Sequence, residues 1–255
     1  MAPLVDAAKV FYVEGFFLTH GTESVLEVSK KASEASKVNL FPYLYFGGFL
    51  LSSLQVFVLN LSAPFIPQFF GAQLSSVLPY CDIIIGNETE AEAYATAAGL
   101  EDPKNLVATA RAIATLPKAN KARRIVIFTH GPKSTILVSS EDQANPKEYK
   151  VTPIPDEQIV DTNGAGDAFA GGFLGAFVAG KTIDECVEAG HKLGAMSVQL
   201  VRTGIVGVFR GLMARCTGRP SVQATQGSNS LSMQLLVQYL RSFPTPAIIS
   251  RSQQR

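Results

Sequence analysis

Asp161 and Asp167 bracket a run of small residues, Thr162-Asn163-Gly164-Ala165-Gly166, and the chain beyond, Ala168-Phe169-Ala170-Gly171-Gly172-Phe173, has helical spacing. Phe169, Phe173 and Phe177 recur every four residues with Leu174 beside them, which gives one apolar stripe. A glycine turn that opens a helix leaves the first backbone N–H groups without intrahelical acceptors, and the helix dipole adds partial positive charge there. Such a terminus suits an anion, above all a phosphate or the charge that develops as a phosphoryl group moves. Asp167 stands next to it, where a carboxylate accepts a proton from an attacking alcohol. The plainer alternative is a helix capped by Asn163 or Thr162, with glycines that only permit the turn. Asn87-Glu88-Thr89-Glu90, read from its residues alone, is an N-cap with an acidic partner three positions on.

The elements that must position these groups alternate along the chain. Val10 to Val13 with Phe16-Phe17 read as a strand ending at Gly15, and Thr22 to Ser36 as an amphipathic helix. Val56 to Leu61 is the next strand, stopped by Pro64 and Pro67; Ile83-Ile84-Ile85 is a third, running into a helix from Glu88 to about Ala98. Asn105 to Leu116 reads as a helix, Ile125 to Thr129 as a strand ending at His130-Gly131, and Thr135 to Ser139 and Val151 to Ile154 as further strands. Continuous apolar strands alternating with helices predict an α/β fold with a mostly parallel sheet covered on both faces. Ligands gather beyond the carboxyl ends of such strands, where Asn60, Asn87, His130 and Asp167 fall.

Composition excludes several classes. Of 255 residues, 22 are Lys or Arg and 21 Asp or Glu, so nothing pulls the chain toward nucleic acid or anionic membrane. Cys81, Cys186 and Cys216 are scattered and form no C-x-x-C pair, which fits a reduced cytosolic protein better than a disulfide or zinc framework. Asp6 and Lys9 interrupt the first residues, so no secretory leader is expected. Leu40 to Leu61 is apolar enough to mimic a membrane span, but Pro42 and Gly47-Gly48 break it and its second half is a strand. After Glu188 no acidic residue follows, and the Gln-, Ser- and Thr-rich stretch Ser221 to Ser230 predicts a solvated tail over 205–255, with one short amphipathic helix around Leu231 to Leu240. Gly175 to Thr182 satisfies G-x-x-x-x-G-K-[ST], but a phosphate-wrapping loop must follow a strand, and here a helix precedes it. Gly180 is expected to end that helix, and Thr182 with Glu185 to cap the next.

Asp161-Thr162-Asn163-Gly164-Ala165-Gly166-Asp167 resembles the signature of the ribokinase-like (PfkB) carbohydrate and nucleoside kinases, and with Asn third it is most similar to their adenosine kinase branch. Leu59 to Phe65, Gly86 to Ala91, Ile127 to Gly131 and Arg202-Thr203-Gly204 carry the same resemblance. It runs from about Val10 to Gly204, apart from an apolar insertion at about 40–55, and implies a partial ribokinase-like domain over 1–204. It implies transfer of the γ-phosphate of ATP to the 5′-hydroxyl of adenosine, with Mg2+, in purine salvage. Asp167 would be the general base and Gly164, Ala165 and Gly166 the anion hole. Asn87, Thr129, Gly131, Asp161 and Asn163 would bind ATP, Glu90 would hold magnesium through water, and Phe16 would stack on the acceptor's purine. The resemblance further implies a monomer acting on small molecules, with no nucleic-acid partner and no membrane, in the cytoplasm with the nucleus as a second location.

The departures from that pattern are specific. The family's lid, Gly-Gly motif and ribose-gripping aspartate have no counterpart ahead of Val10, and His130 stands where a glutamine is expected. Missing central strands would leave an unpaired, apolar sheet edge. Weak nucleotide binding and little or no adenosine phosphorylation by this chain alone are therefore expected. A related sugar kinase and a non-catalytic nucleotide-binding remnant are the alternatives.

Overall fold

The computed structural model describes residues 8–37 and 55–199. Strand β1 (Val10–Glu14) leads through a 3-10 turn (Gly15–Thr19) to helix α1 (Thr22–Lys37), then β2 (Val56–Asn60), α2 (Phe65–Phe69), α3 (Gly71–Val77) and β3 (Ile83–Asn87). Helices α4 (Glu88–Ala97) and α5 (Leu106–Ala114) precede β4 (Ile125–His130), β5 (Ser134–Ser139) and β6 (Asp142–Lys150); α6 (Ala165–Val178) and α7 (Ile183–Val198) follow. The six strands lie in chain order, β1 to β4 parallel and β4, β5 and β6 antiparallel.

That order dictates the layers. Parallel strands need crossovers of one hand, and successive steps in one direction put every crossover helix on the same face. Phe57, Leu59, Ile84, Val126, Phe128 and Val138 point to that face and pack with Val25 of α1, Leu74 of α3, Ala91 of α4 and Ile113 of α5. The alternate residues Val58, Ile83, Ile85, Ile125, Ile127 and Leu137 point the other way, onto Phe169, Phe173 and Leu174 of α6 and Cys186 and Val187 of α7. Burial on both faces is why these strands read as unbroken apolar runs.

Two expectations are corrected. Phe16 and Phe17 leave the strand: at Gly15 a Cβ would sit 2.4 Å from the Leu61 carbonyl oxygen, and the chain turns there into the 3-10 segment. Val151 to Ile154 is not a strand; the last strand is β6, whose sequence is polar and largely exposed. It is an edge strand held by its ladder to β5 rather than by burial, and it tolerates Pro146 for that reason. At the other edge, β1 pairs with β2 alone among the described residues. The expected insertion, its membrane-like first half and the expected tail lie outside the described residues. Among the described residues no helix is long and apolar enough to cross a membrane.

The amino ends of the strands are anchored by Arg124, which is fully buried. Its guanidinium donates to the carbonyls of Leu116 at 2.7 Å, Leu78 at 2.8 Å, Ile113 at 3.0 Å, Pro117 at 3.2 Å and Cys81 at 3.3 Å. These carbonyls lie near the ends of α3 and α5, so one cation satisfies acceptors that the helices leave open. Beside it Lys118 pairs with buried Asp82 at 2.5 Å, and the other Asp82 oxygen accepts from the Phe57 N–H at 2.8 Å.

Candidate active site

The stretch from Asp161 to Asp167 opens a helix, with its tip in solvent. Gly164 takes the N-cap position at φ +81°, where a side chain would be strained, and no atom lies within 4 Å of the Cβ it lacks. One Asp161 oxygen accepts from the Asn163 backbone at 2.9 Å and from its side-chain amide at 2.8 Å, so both residues pin the turn. The Ala165 N–H reaches back to Thr162 O over a long 3.3 Å, and Gly166 stands open beside Asp167, which is exposed in the first helical turn. The rigidity comes from behind. Phe169 and Phe173 are buried, and α7 approaches so closely that a Cβ at Gly172 would lie 2.5 Å from the Ala189 carbonyl oxygen. At its far end α6 closes with Gly180 at φ +75°, its N–H on Phe177 O at 3.0 Å and that of Lys181 on Ala176 O at 3.1 Å. Thr182 and Glu185 form the expected capping box, and Lys181 pairs with Glu185, so the phosphate-loop look-alike is a helix end.

Asn87 caps α4 in a complete capping box: its side chain accepts from the Glu90 N–H at 2.9 Å, and Glu90 accepts from the Asn87 N–H at 3.0 Å. The second Glu90 oxygen takes the Asn87 amide at 2.9 Å. Burial pushes the Glu90 carboxyl up to about 7, opposed by the Asn87 N–H and helped by the like charges of Glu14, Asp167 and Glu88. A buried carboxyl facing other carboxylates is a position that a divalent cation relieves, and hard oxygen donors fit magnesium. Among the described residues no three His, Cys, Asp or Glu side chains close up as a metal site.

Two strand ends complete the acidic side. Glu14 ends β1 opposite Asn60 of β2, and its carboxylate accepts from the hydroxyls of Tyr12 and Ser62. The Ser62 hydroxyl takes the Gly15 N–H at 2.7 Å, and Ser62 itself sits at φ +67°, left-handed for a residue with a side chain. Beyond these turns Phe16, 49% exposed, faces Phe65 with ring centroids 5.7 Å apart, and Phe65 meets Phe70 at 6.3 Å. Phe16 is exposed, and Phe65 leans against it with the ring planes 52° apart. Glu14, Ser62 and Phe65 were not singled out in the sequence. The lone charge closing an apolar strand just before Gly15 was the available signal for Glu14.

Thr129 lies level with Asn87 on β3 and with Thr135 on β5, and its hydroxyl reaches the Gly86 carbonyl at 3.4 Å. Gly131 turns at φ +49°, and His130 is half-buried at the end of β4. Thr135 contacts His191 Nε2 at 2.8 Å, which ties α7 to this end of the sheet; burial holds that imidazole below its ordinary range. The sheet therefore brings Phe16, Asn87, Glu90, Thr129 and Gly131 to the carboxyl ends of β1, β3 and β4. The negative charge of Asp167 adds to the upward push on the carboxyls of both Glu14 and Glu90.

Known proteins resemble the chain in sequence and in fold. Over 202 residues the chain is 50% identical to an adenosine kinase of Schizophyllum commune, covering 79% of this chain and 54% of the relative. Over 200 residues it is 41% identical to that of Schizosaccharomyces pombe, covering 78% and 52%. Among solved structures, Anopheles gambiae adenosine kinase in complex with P1,P4-di(adenosine-5) tetraphosphate superposes with a TM-score of 0.68 at 36% identity, over 86% of this chain and 55% of that one. Adenosine kinase from Schistosoma mansoni in complex with 2-fluoroadenosine gives 0.68 at 35% identity, over 78% and 53%. The chain spans about half the length of the curated relatives it matches. With residues 1–206 matching the pfkB family carbohydrate kinases and a ribokinase-like sheet beneath the site, the chain belongs to that family.

Proposed function

We propose that the site serves adenosine kinase-type phosphoryl transfer, from ATP to the 5′-hydroxyl of adenosine, yielding AMP and ADP for purine salvage. The observation that carries this reading is Asp167 standing exposed in the first turn of α6, beside an N-terminus opened by Gly164. Asp167 takes the proton of the attacking hydroxyl as its oxygen bonds to the γ-phosphorus. The bond from that phosphorus to the bridging oxygen breaks, and ADP leaves with the electron pair. The backbone of Gly164, Ala165 and Gly166 faces the charge on the moving group, where preorganised N–H donors act with no reorganisation. Glu90 would hold hydrated magnesium and Asn87 would serve the phosphates; when bound, the metal would neutralise phosphate charge. Phe16 offers the purine a face, while Thr129 and Gly131 border the nucleotide.

The relatives solved with 2-fluoroadenosine and with P1,P4-di(adenosine-5) tetraphosphate support a site that takes adenosine-type ligands. Because the chain spans about half of its relatives, its turnover is expected far below theirs. The test is AMP formation from adenosine and ATP by the whole chain and by Asp167→Asn. Residual product that the substitution removes supports the reading; equal product from both refutes it. A preference for a sugar over adenosine in competition would move the assignment to the sugar kinases.

A further inference from the structure

Ser62 has no part in the transfer just described, yet the chain accepts an uncommon backbone conformation to place it. Just past the end of β2, the Leu61 N–H still pairs with β3, on the Ile85 carbonyl at 2.9 Å. The chain then reverses about Ser62 at φ +67°, and the Ala63 N–H closes back on the Leu61 carbonyl at 2.8 Å. A three-residue turn of that hand is rare for a residue with a side chain, and it persists only where its surroundings over-determine it. Here a ring of four side chains does so. Tyr12 donates its hydroxyl to one Glu14 oxygen, and the Asn60 amide donates to the Tyr12 oxygen at 3.0 Å. The Ser62 N–H reaches Asn60 Oδ1 at 3.2 Å, and the Ser62 hydroxyl donates to the other Glu14 oxygen. With its one proton committed there, the same hydroxyl oxygen accepts the Gly15 N–H at 2.7 Å.

We propose that Ser62 is a positioning residue for the nucleoside acceptor: its hydroxyl clamps Gly15 and so holds the Phe16 ring where it receives the purine. This rests on reading Phe16 as the purine's face. Gly15 opens the 3-10 turn and Phe16 follows it, so the clamp acts on the peptide next to the ring. There is no slack in that contact, because the Leu61 carbonyl that takes Ala63 is also the one that leaves no room for a Cβ at Gly15. Leu18 is buried and Phe17 packs against the core, which leaves Phe16 to point outward. The outward ring is held by Ser62 on the N–H before it, by the Thr19 hydroxyl on the Phe16 carbonyl at 2.9 Å, and by the Phe65 ring. Phe65 depends on Ser62 as well: the reversal there aims Ala63 and Pro64 into α2, with the Ile66 N–H on the Ala63 carbonyl at 3.0 Å. A ring held in place before its ligand arrives need not be ordered on binding, and affinity gains accordingly.

The experiment uses the whole chain and Ser62→Gly, which removes the hydroxyl while tolerating the left-handed turn. NMR reads the ring-to-ring contact of Phe16 with Phe65, assigned with Phe16→Leu and Phe65→Leu, and the affinity for adenosine by titration; equilibrium dialysis reads the retention of ATP. The unsubstituted chain should show the ring contact and a Gly15 amide protected from exchange. Ser62→Gly should lose the contact and bind adenosine roughly threefold to tenfold more weakly, with ATP retention unchanged. A ring contact kept in folded Ser62→Gly overturns the proposal, and so does an equal loss of adenosine and ATP, which a merely structural role would give. A Gly15 amide that exchanges as freely as an exposed one in the unsubstituted chain overturns it too, even where Ser62→Gly fails to fold. Phe16→Leu separates the two ideas: unchanged adenosine affinity there refutes the purine face, whereas the ring contact and the Gly15 amide test the clamp with no ligand present.

Discussion

Glu90→Gln gives the sharpest test of how the site stores electrostatic free energy. In the folded chain the Glu90 carboxyl is 5% exposed and pushed up to about 7, against an ordinary value of 4.5. The folded state therefore binds this proton more tightly than the unfolded chain does. The stabilisation is complete below about 4.5 and is lost as pH rises through about 7. At about 1.4 kcal/mol per unit, the loss is about 3 kcal/mol between pH 4.5 and 8. Glutamine carries no such proton and keeps an oxygen for the Asn87 N–H, so its cost is the same at every pH. Urea unfolding of both chains at half-unit steps should show the original chain losing about 3 kcal/mol relative to the Gln variant across that range. The difference should shrink at pH 8 when millimolar Mg2+ and ATP are added to the original chain, because a cation near the carboxylate favours its charged form. A difference that stays flat with pH would mean that the burial and like charges around Glu90 do not govern its ionisation, and the reasoning would fail.

Other expectations concern stability and anion binding. Arg124→Lys replaces a fork that reaches five carbonyls with three donors, leaving at least two buried acceptors open at about 1–3 kcal/mol each; urea unfolding should report a loss of about 2–6 kcal/mol. Gly164→Ala forces a side chain to φ +81° and should cost about 1–2 kcal/mol in stability, with weaker retention of ATP in equilibrium dialysis. Lys181→Ala removes only an exposed pair with Glu185, so ATP retention should be unchanged; a tenfold loss would restore the phosphate-loop reading of Gly175 to Thr182.

How much of this was legible depended on whether a residue's role is local. The turn from Asp161 to Gly166, the helix behind it and the Gly180 and Thr182 boundaries were readable because caps and glycine turns are set by neighbours a few positions apart. β6 was not: its DQANPKEYK sequence carries no apolar alternation, and its place comes from the hydrogen bonds that β5 offers it. Arg124 was equally silent, since a guanidinium beside two other basic residues reads as a surface charge until α3 and α5 bring their carbonyls to it. Glu14 and Ser62 lie 48 positions apart, and their meeting required the parallel register of β1 on β2.

The two ends of the sheet handle buried charge in opposite ways, and the difference explains where chemistry can occur. At the amino ends each charge has its complement: Arg124 among carbonyls, Lys118 on Asp82, Asp82 on a backbone N–H. Such an arrangement is self-sufficient and has nothing to offer a ligand. At the carboxyl ends Glu14, Glu90 and Asp167 repel one another, Ser62 and Gly164 hold left-handed backbone, and an open helix terminus faces solvent. Those features cost stability in the free chain, and a ligand that carries both a cation and an anion would relieve them further. On the proposed reading, a nucleoside triphosphate with its magnesium would supply both, the cation for the carboxylates and the terminal phosphate for the amino end of α6.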